Sequence, residues 1–456
     1  MLSGFDYGTS NCAIGVINST TQKAQLLPLE NDQNFLPSAL YALGRELVCE
    51  QVAGNITDQK IQREYLQSRS DNLSAAKQFR RKESIGKDEQ SLFFGQQAFD
   101  NYFDLPAEGY FVKSPKSFLG ASGLRVEHIR FFEDLVTAMM MHVKKRAEAQ
   151  CQTVLTDTVI GRPVNFQGLN SDENNAQAIA ILEVSAQRAG FKSVEFLYEP
   201  IAAGLDFERQ LKQDKKVLVI DIGGGTSDCA MVCMGPSHRN KADRQNDFIG
   251  HSGERIGGND FDIQIASKAL LPLFGMNSYL KSGLPMPTQI FWNAVSTNDV
   301  GAQADFNSLQ TSLLFERLQI ETQEPKLFER FVQMRKHRQN QHVVASAEQA
   351  KIQLSEIKKV DVALDYIEAG LASSVTLEAM KDAVRRPLTQ MINVVNETIA
   401  QAAVKPDLIY ITGGSARSPV IRQIITEQVG DIEVVDGDHF GSVANGLTLW
   451  ANRIFK

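Results

Sequence analysis

Two stretches of the chain follow one plan. FDYGTSNCAIGV, from Phe5, and VIDIGGGTSDCAMV, from Val219, each run apolar residues into an aspartate, then glycine, then hydroxyls, then apolar residues again. Such a run, broken at glycine and resumed, reads as two strands joined by a tight turn. The copies lie close to half a chain apart, which points to a duplicated α/β unit with a cleft between two lobes. Glycine lets successive backbone N–H groups converge on one anion. Thr9, Ser10, Thr226 and Ser227 can add hydroxyl donors. Asp6, Asp221 and Asp228 supply the hard oxygens that Mg²⁺ accepts, often through its water shell. A doubled turn of this kind suits a polyphosphate gripped from both sides. The chain has neither GxxxxGK[ST] nor, at either turn, GxGxxG, which argues against a P-loop and a dinucleotide fold.

Bulk properties narrow the partners. The 456 residues allow about two to four domains. Lys+Arg 47 against Asp+Glu 54 leaves a net charge of -7, which disfavours nucleic acid. No apolar run approaches the roughly 20 residues of a membrane span. The start, MLSGFDYGTS, lacks the basic-then-apolar order of a secretory signal. The cysteines (Cys12, Cys49, Cys151, Cys229 and Cys233) are odd in number and scattered. Cys229 and Cys233 share a strand candidate, where four steps span about 13 Å, too far for a disulfide. A cytoplasmic setting is expected.

Between the two turns the composition alternates. Residues 51–90 are dense in charge, with a basic cluster at Lys77, Arg80, Arg81 and Lys82, and read as a helical insertion or mobile loop. EHIRFFEDLVTAMMMHVKKRAEAQ has a 3.6-residue apolar rhythm, with Met139, Met140 and Met141 read as core filling. DTVIGRPVNF reads as a strand, NNAQAIAILEVSAQRAGF as a helix closed by Gly190, and EFLYEPIAAGLDFERQL as strand then helix. Lobe I is expected over 1–210 and lobe II over 211–456. Residues 275–344 form a second insertion with a helix near KLFERFVQMRKH, and SVANGLTLWANRIFK is a final helix expected to pack back on lobe I. His337 and His342 are spaced off one helical face, which argues against a metal site.

A third element, ITGGSARSP, places Gly413 and Gly414 between a strand and a helix, where close backbone approach could admit a base or ribose. Together with YEPIAAGLDF, ERIGGNDFD and AEQAKIQLSE, these motifs carry a resemblance to the ATPase domain of DnaK-type heat-shock chaperones, and more closely to their short YegD-like relatives. The resemblance is discontinuous over most of the chain. It implies an α/β, two-lobed actin-like ATPase fold of duplicated RNase H-like units, with ATP or ADP and Mg²⁺ in the cleft between the lobes.

The resemblance also implies roles. Gly8, Thr9, Ser10 and Asn11 would line the first phosphate turn, and Gly223, Gly224, Gly225 and Thr226 the second. Asp6 and Asp221 would face magnesium through water. Lys116, in KSFLG, would be the catalytic lysine, with Lys113 as the alternative; Glu199 and Asp228 would orient water, with Asp221 and Thr226 completing the catalytic set. Gly257 and Gly258, with Glu348, Lys351 and Ser355, fall on nucleoside-side motifs, and Gly413, Gly414, Ser415 and Arg417 on the adenosine motif. Two departures stand out: Ile352 where relatives often carry an arginine that can stack on the base, and Phe440 where they carry an acid. The family continues into a β-rich peptide-binding domain, and nothing follows Lys456 here, so clients or co-chaperones would engage the ATPase domain or its insertions. Slow, switch-like ATP hydrolysis is the leading expectation. A sugar-type kinase, which needs a base facing a second pocket, and an actin-like polymerising ATPase are the alternatives. Neither a membrane nor a nucleic acid is expected as partner.

Overall fold

The computed structural model describes residues 1–166, 171–241, 244–438 and 441–455. In the first lobe the strands are β1 Leu2–Tyr7, β2 Asn11–Ile17, β3 Ala24–Leu26, β4 Leu36–Pro37, β5 Ala39–Ala42, β6 Leu92–Phe94, β7 Tyr110–Lys113, β8 Asp157–Arg162 and β9 Ser193–Tyr198. In the second they are β10 Lys215–Ile222, β11 Ser227–Met234, β12 Phe248–Glu254, β13 Lys359–Ala363, β14 Ala372–Thr376, β15 Leu408–Thr412 and β16 Val434–Asp436.

The duplication extends to topology. The first main sheet has the order β3-β2-β1-β8-β9, with β4 on β2, and the second β12-β11-β10-β15-β16. In each, the strands flanking the glycine turn are antiparallel, and the next two join in parallel. The central strands explain why these segments form sheet. From Val217 to Ile222, β10 is buried on both faces, which suits the apolar run Val217–Ile220 and leaves Asp221 as a buried acid at its end. The two-lobed actin-like fold is therefore present.

Each sheet ends in a helix that lies at the lobe boundary: Glu199–Glu208 after β9, and Ser442–Ile454 after β16. The second packs on β1 and against the first helix. Gly446 makes that crossing possible, because a Cβ there would sit 1.7 Å from the carbonyl oxygen of Ala202.

The charged stretch 51–90 is helical and anchored, with helices Leu47–Asn55, Gln59–Ser68 and Ser70–Lys82. Arg69 is buried and reaches Asp134 at 3.1 Å and Glu133 at 2.7 Å on the long helix Val126–Cys151. Removing one partner from such a network costs about 3–5 kcal/mol, because a buried charge is left unpaired. Of the basic cluster, Arg80 pairs with Glu50 at 2.5 Å. Met139 and Met140 are fully buried, as core residues.

Residues 289–336 form four short helices around Phe291, Phe306, Phe315, Phe328 and Phe331, with Phe291 stacked on Phe331 at 4.1 Å. The expected helix near KLFERFVQMRKH is Pro325–Lys336. The β13–β14 hairpin and β12 are additions that the sequence patterning did not single out. Among the described residues no helix is long and apolar enough to cross a membrane.

Candidate functional site

Between the lobes lies a cavity of about 490 Å³. Its walls gather most of the residues that the motifs had named. Asp6, Gly8, Thr9, Ser10 and Asn11 come from the first turn; Asp221, Gly223, Gly224 and Thr226 come from the second. Gly258, Glu348, Lys351, Ile352 and Ser355 form one side, and Gly413, Gly414, Ser415 and Arg417 another. Glu199 reaches in from the start of its helix.

Both turns are braced from behind. Ser38 donates its hydroxyl to Gly8 O at 2.7 Å and its amide to Ser10 O at 2.8 Å. In the second turn Gly223 N donates to Thr226 O at 2.9 Å. The carbonyl of Gly223 accepts from Gly258 N and from the Ser415 hydroxyl, each at 3.0 Å, and that of Gly224 accepts from Asn259 N at 2.7 Å. The two turns face each other closely: a Cβ on Gly224 would lie 1.9 Å from Ser10 Oγ. A side chain at this position would force the Ser10 hydroxyl to turn away.

Four acids converge beside the turns. The β10–β11 register pairs Asp221 with Asp228, whereas the β1–β2 register pairs Asp6 with Ala13. Lys116, on the short turn Pro115–Phe118, is buried and contacts Glu199 Oε1 at 2.5 Å and Gly161 O at 3.5 Å. Asp228 Oδ1 accepts from Val164 N, across the lobe boundary, at 2.7 Å. Its Oδ2 is buried without a partner.

Burial and crowding disturb the protonation of Asp6, Asp221, Asp228 and Lys116. The Asp6 carboxyl is pushed up to about 7 by burial and by the charge of Glu199, with Lys116 opposing. Asp228 is pushed up to about 7 by burial and Glu199, against the pull of the Thr226 hydroxyl. Asp221 rises well above the carboxylate range through burial, then through Glu199, Asp228 and Asp6. Burial would lower the Lys116 ammonium, but Glu199 and Asp6 hold it above its usual value. One cation among four acids leaves the pocket short of positive charge.

The nucleoside-side motif forms its own network. Lys351 contacts Asp262 at 2.7 Å and Gly258 O at 3.1 Å. Asp262 is raised to about 6 by burial, with Lys351 opposing. Glu348 pairs with Lys113 of the first lobe at 2.5 Å, so the two lysines of the KSPK segment part company. Lys113 spans the cleft, and Lys116 joins the acids. Ile352 stands at the rim, 52 % exposed.

Five of the named residues stand behind the cavity wall, among them Ser227, whose hydroxyl donates to Ile256 O at 2.8 Å and so does not face the turn as expected. Lys116 and Asp228 are buried beside Glu199 and Val164, Gly225 backs onto Thr9 and Ser117, and Gly257 lies on the Gly224 backbone. Phe440 falls outside the described residues. The structure adds lining residues that sequence reasoning had missed: Phe35, Asn259, Phe261, Glu356, Ser418 and Val443. Asn259 and Phe261 sat within the quoted GGNDFD motif; Phe35 and Val443 carried no signal. His342 stacks on Tyr366 at 3.6 Å and against Phe103 at 4.5 Å, an aromatic role.

Comparison with known proteins gives a consistent answer. The profile of the family described as Hsp70 protein matches residues 119–274 and 324–451, more than half of the chain. The chaperone protein DnaK of Trichormus variabilis is 24% identical over 311 residues, covering 65% of this chain and 35% of the relative. DnaK of Thermosipho melanesiensis is 26% identical over 335 residues, covering 70% and 44%. DnaK of Thermosipho africanus is 26% identical over 312 residues, covering 65% and 40%. The chain thus spans less than half the length of these curated relatives.

Proposed function

This chain belongs to the Hsp70 protein family, and we propose that its cleft binds Mg-ATP and hydrolyses it slowly, as a nucleotide-controlled switch in protein folding. The observation that carries this reading is the set of buried acids around one lysine, set beside two glycine turns in contact.

The donor set fits a hydrated magnesium ion. Crowded around one ammonium, Asp6, Asp221 and Asp228 hold protons far above the carboxylate range, and Asp228 Oδ2 is buried with no hydrogen-bond partner among the described residues. Asp6 and Asp221 would hold the ion through its water shell. When bound, the ion neutralises phosphate charge and lowers repulsion toward an incoming water.

The remaining roles fall to the chain itself. The turns Gly8–Asn11 and Gly223–Thr226 hold phosphate oxygens through backbone N–H and hydroxyl groups. Lys116, oriented by Glu199, offers positive charge to the transferring phosphoryl group. The free Oδ2 of Asp228, on a carboxyl near 7, suits acceptance of a proton from water. Glu348, Lys351 and Ser355 face the nucleoside, with Gly413, Gly414, Ser415 and Arg417 around adenosine.

Client proteins or co-chaperones would meet the outer surfaces of the lobes, in a cytoplasmic setting. Calorimetric titration with ATP, ADP and sugar phosphates, with and without magnesium, tests the reading. ATP and ADP should bind tightly only with magnesium, and sugar phosphates should not bind. Tight binding of a sugar phosphate, or none of ATP, would overturn it.

A further inference from the structure

The ends of β8 and β9 connect the acid cluster to the far side of the lobe boundary. Gly161 O faces Lys116, and Val164 N donates to Asp228. Asn165 Nδ2 donates to Gly253 O of β12, in the second lobe, at 3.0 Å. Arg162 lies opposite Tyr198 in the parallel β8–β9 ladder, and its guanidinium carbon is 4.7 Å from the centre of the Tyr198 ring. The guanidinium is fixed by donating to Pro163 O at 3.2 Å and Val164 O at 3.3 Å.

The same ring stacks on His251 of β12, with centroids 5.6 Å apart and planes at 27°. Tyr198 belongs to the first lobe and His251 to the second, so the stack bridges the boundary. Tyr198 is also the N-cap residue of helix Glu199–Glu208, in an extended conformation, and its side chain makes no capping bond. Any hold its ring has on the helix start therefore comes from packing and not from a capping bond. The next residue is Glu199, whose carboxylate holds Lys116.

We propose that Tyr198 is a positioning residue for hydrolysis: its ring, gripped by Arg162 and by His251 of the opposite lobe, fixes the first turn of the Glu199 helix when the lobes are closed. Opening the lobes withdraws His251 and frees that turn, so Glu199 presents Lys116 correctly only in the closed state. This rests on the roles given above to Glu199 and Lys116. A displacement of about 1 Å at such a group is enough to cost up to 100-fold in rate.

The test compares Tyr198→Ala, Tyr198→Phe, His251→Ala and the Tyr198→Ala/His251→Ala pair in single-turnover ATP hydrolysis and in ATP affinity by calorimetry, with Glu199→Gln as reference. Tyr198→Ala should slow hydrolysis by about tenfold while ATP affinity stays within about threefold. Tyr198→Phe keeps the ring and should restore the rate to within about twofold. His251→Ala should slow it by about threefold alone and add nothing in the Tyr198→Ala background, since both remove one stack. His251 is exposed, so that variant leaves the core intact should Tyr198→Ala fail to fold. Normal hydrolysis in Tyr198→Ala or in His251→Ala, with Glu199→Gln slow, overturns the positioning role alone. Equal slowing by Phe and Ala overturns it too, because the hydroxyl would then be the active part. Normal hydrolysis in Glu199→Gln overturns the reading of Glu199 and the positioning role with it.

Discussion

Replacing Asp228 with asparagine should favour the nucleotide-free protein by about 2 kcal/mol more in mild alkali than in mild acid. The carboxyl is 1% exposed and is pushed up to about 7 by burial and Glu199, from 3.8. The folded protein therefore binds its proton more tightly than the unfolded chain. Between about pH 4 and pH 7 the folded state carries the extra proton, so this group lowers stability as the pH rises through that window. Each tenfold change in proton affinity is worth about 1.4 kcal/mol, which gives a penalty of about 4 kcal/mol near pH 8 and about 2 kcal/mol near pH 5.5. Asparagine keeps the Val164 N bond through its carbonyl oxygen. Its amide replaces the unpartnered Oδ2 and adds a cost of about 1–3 kcal/mol that does not depend on pH. The difference between the two pH values, about 2 kcal/mol in favour of Asp228→Asn at the higher one, is therefore free of that cost. Guanidinium unfolding of both proteins at the two pH values, without nucleotide or divalent ions, measures it. The same free-energy difference between the two proteins at both would refute the reasoning, since the carboxyl would then be titrating normally.

Lys116→Ala should slow single-turnover hydrolysis by about 100-fold or more while sparing ATP binding, in line with loss of one electrostatic donor. Lys113→Ala, assayed beside it, should leave that step alone and speed nucleotide release, because Lys113 pairs with Glu348 across the cleft; a stopped-flow chase with labelled nucleotide reads the release. Asp221→Asn should weaken magnesium-dependent ATP binding, and unchanged affinity and turnover would sink the assignment of that acid. Ile352→Arg should strengthen adenine nucleotide binding by up to about 1 kcal/mol, since a guanidinium at this half-exposed rim can stack on the base; weaker binding in calorimetry would mean that the helix Asn340–Gln353 does not face the base.

The site is legible in the sequence where chemistry restricts the residue type. Gly257 meets the Gly224 backbone too closely for any side chain, and Asp221 places a carboxylate at the end of a buried strand, so both leave a mark in the letters. Gly161 and Val164 act through backbone atoms, which any residue possesses, and they leave none. Phe35 and Val443 reach the cavity only because distant segments pack there. The same limit applies to the fold. Helix Val126–Cys151 is long enough for its apolar rhythm to show. The phenylalanine core of 289–336 is spread over four helices, of which Pro325–Lys336 is legible, while Gln289–Val295 and Val300–Phe306 have seven residues each, too few for a clear period. β13 (KVDVA) alternates but is only five residues long, β14 (ASSVT) is mostly small and polar, and FIGHSGE of β12 contains two glycines, which weaken any strand signal.

The duplicated fold builds a site that is not itself duplicated, and the register shows how. In β2 the position opposite Asp6 is Ala13; in β11 the position opposite Asp221 is Asp228. The helix after β9 begins at Glu199, whereas its counterpart after β16 begins at Ser442, which bonds to Thr412 at 2.6 Å. Symmetry thus supplies two turns and one acid from each lobe, and the remaining groups are unequal: Glu199 and Lys116 from the first lobe, Asp228 from the second. Neither lobe holds the full set. The Val164 N to Asp228 bond crosses the boundary. Movement of one lobe against the other therefore disturbs the orientation of Asp228 and its approach to Glu199 together. On the proposed reading, opening the cleft would break up the hydrolytic set even with each lobe intact.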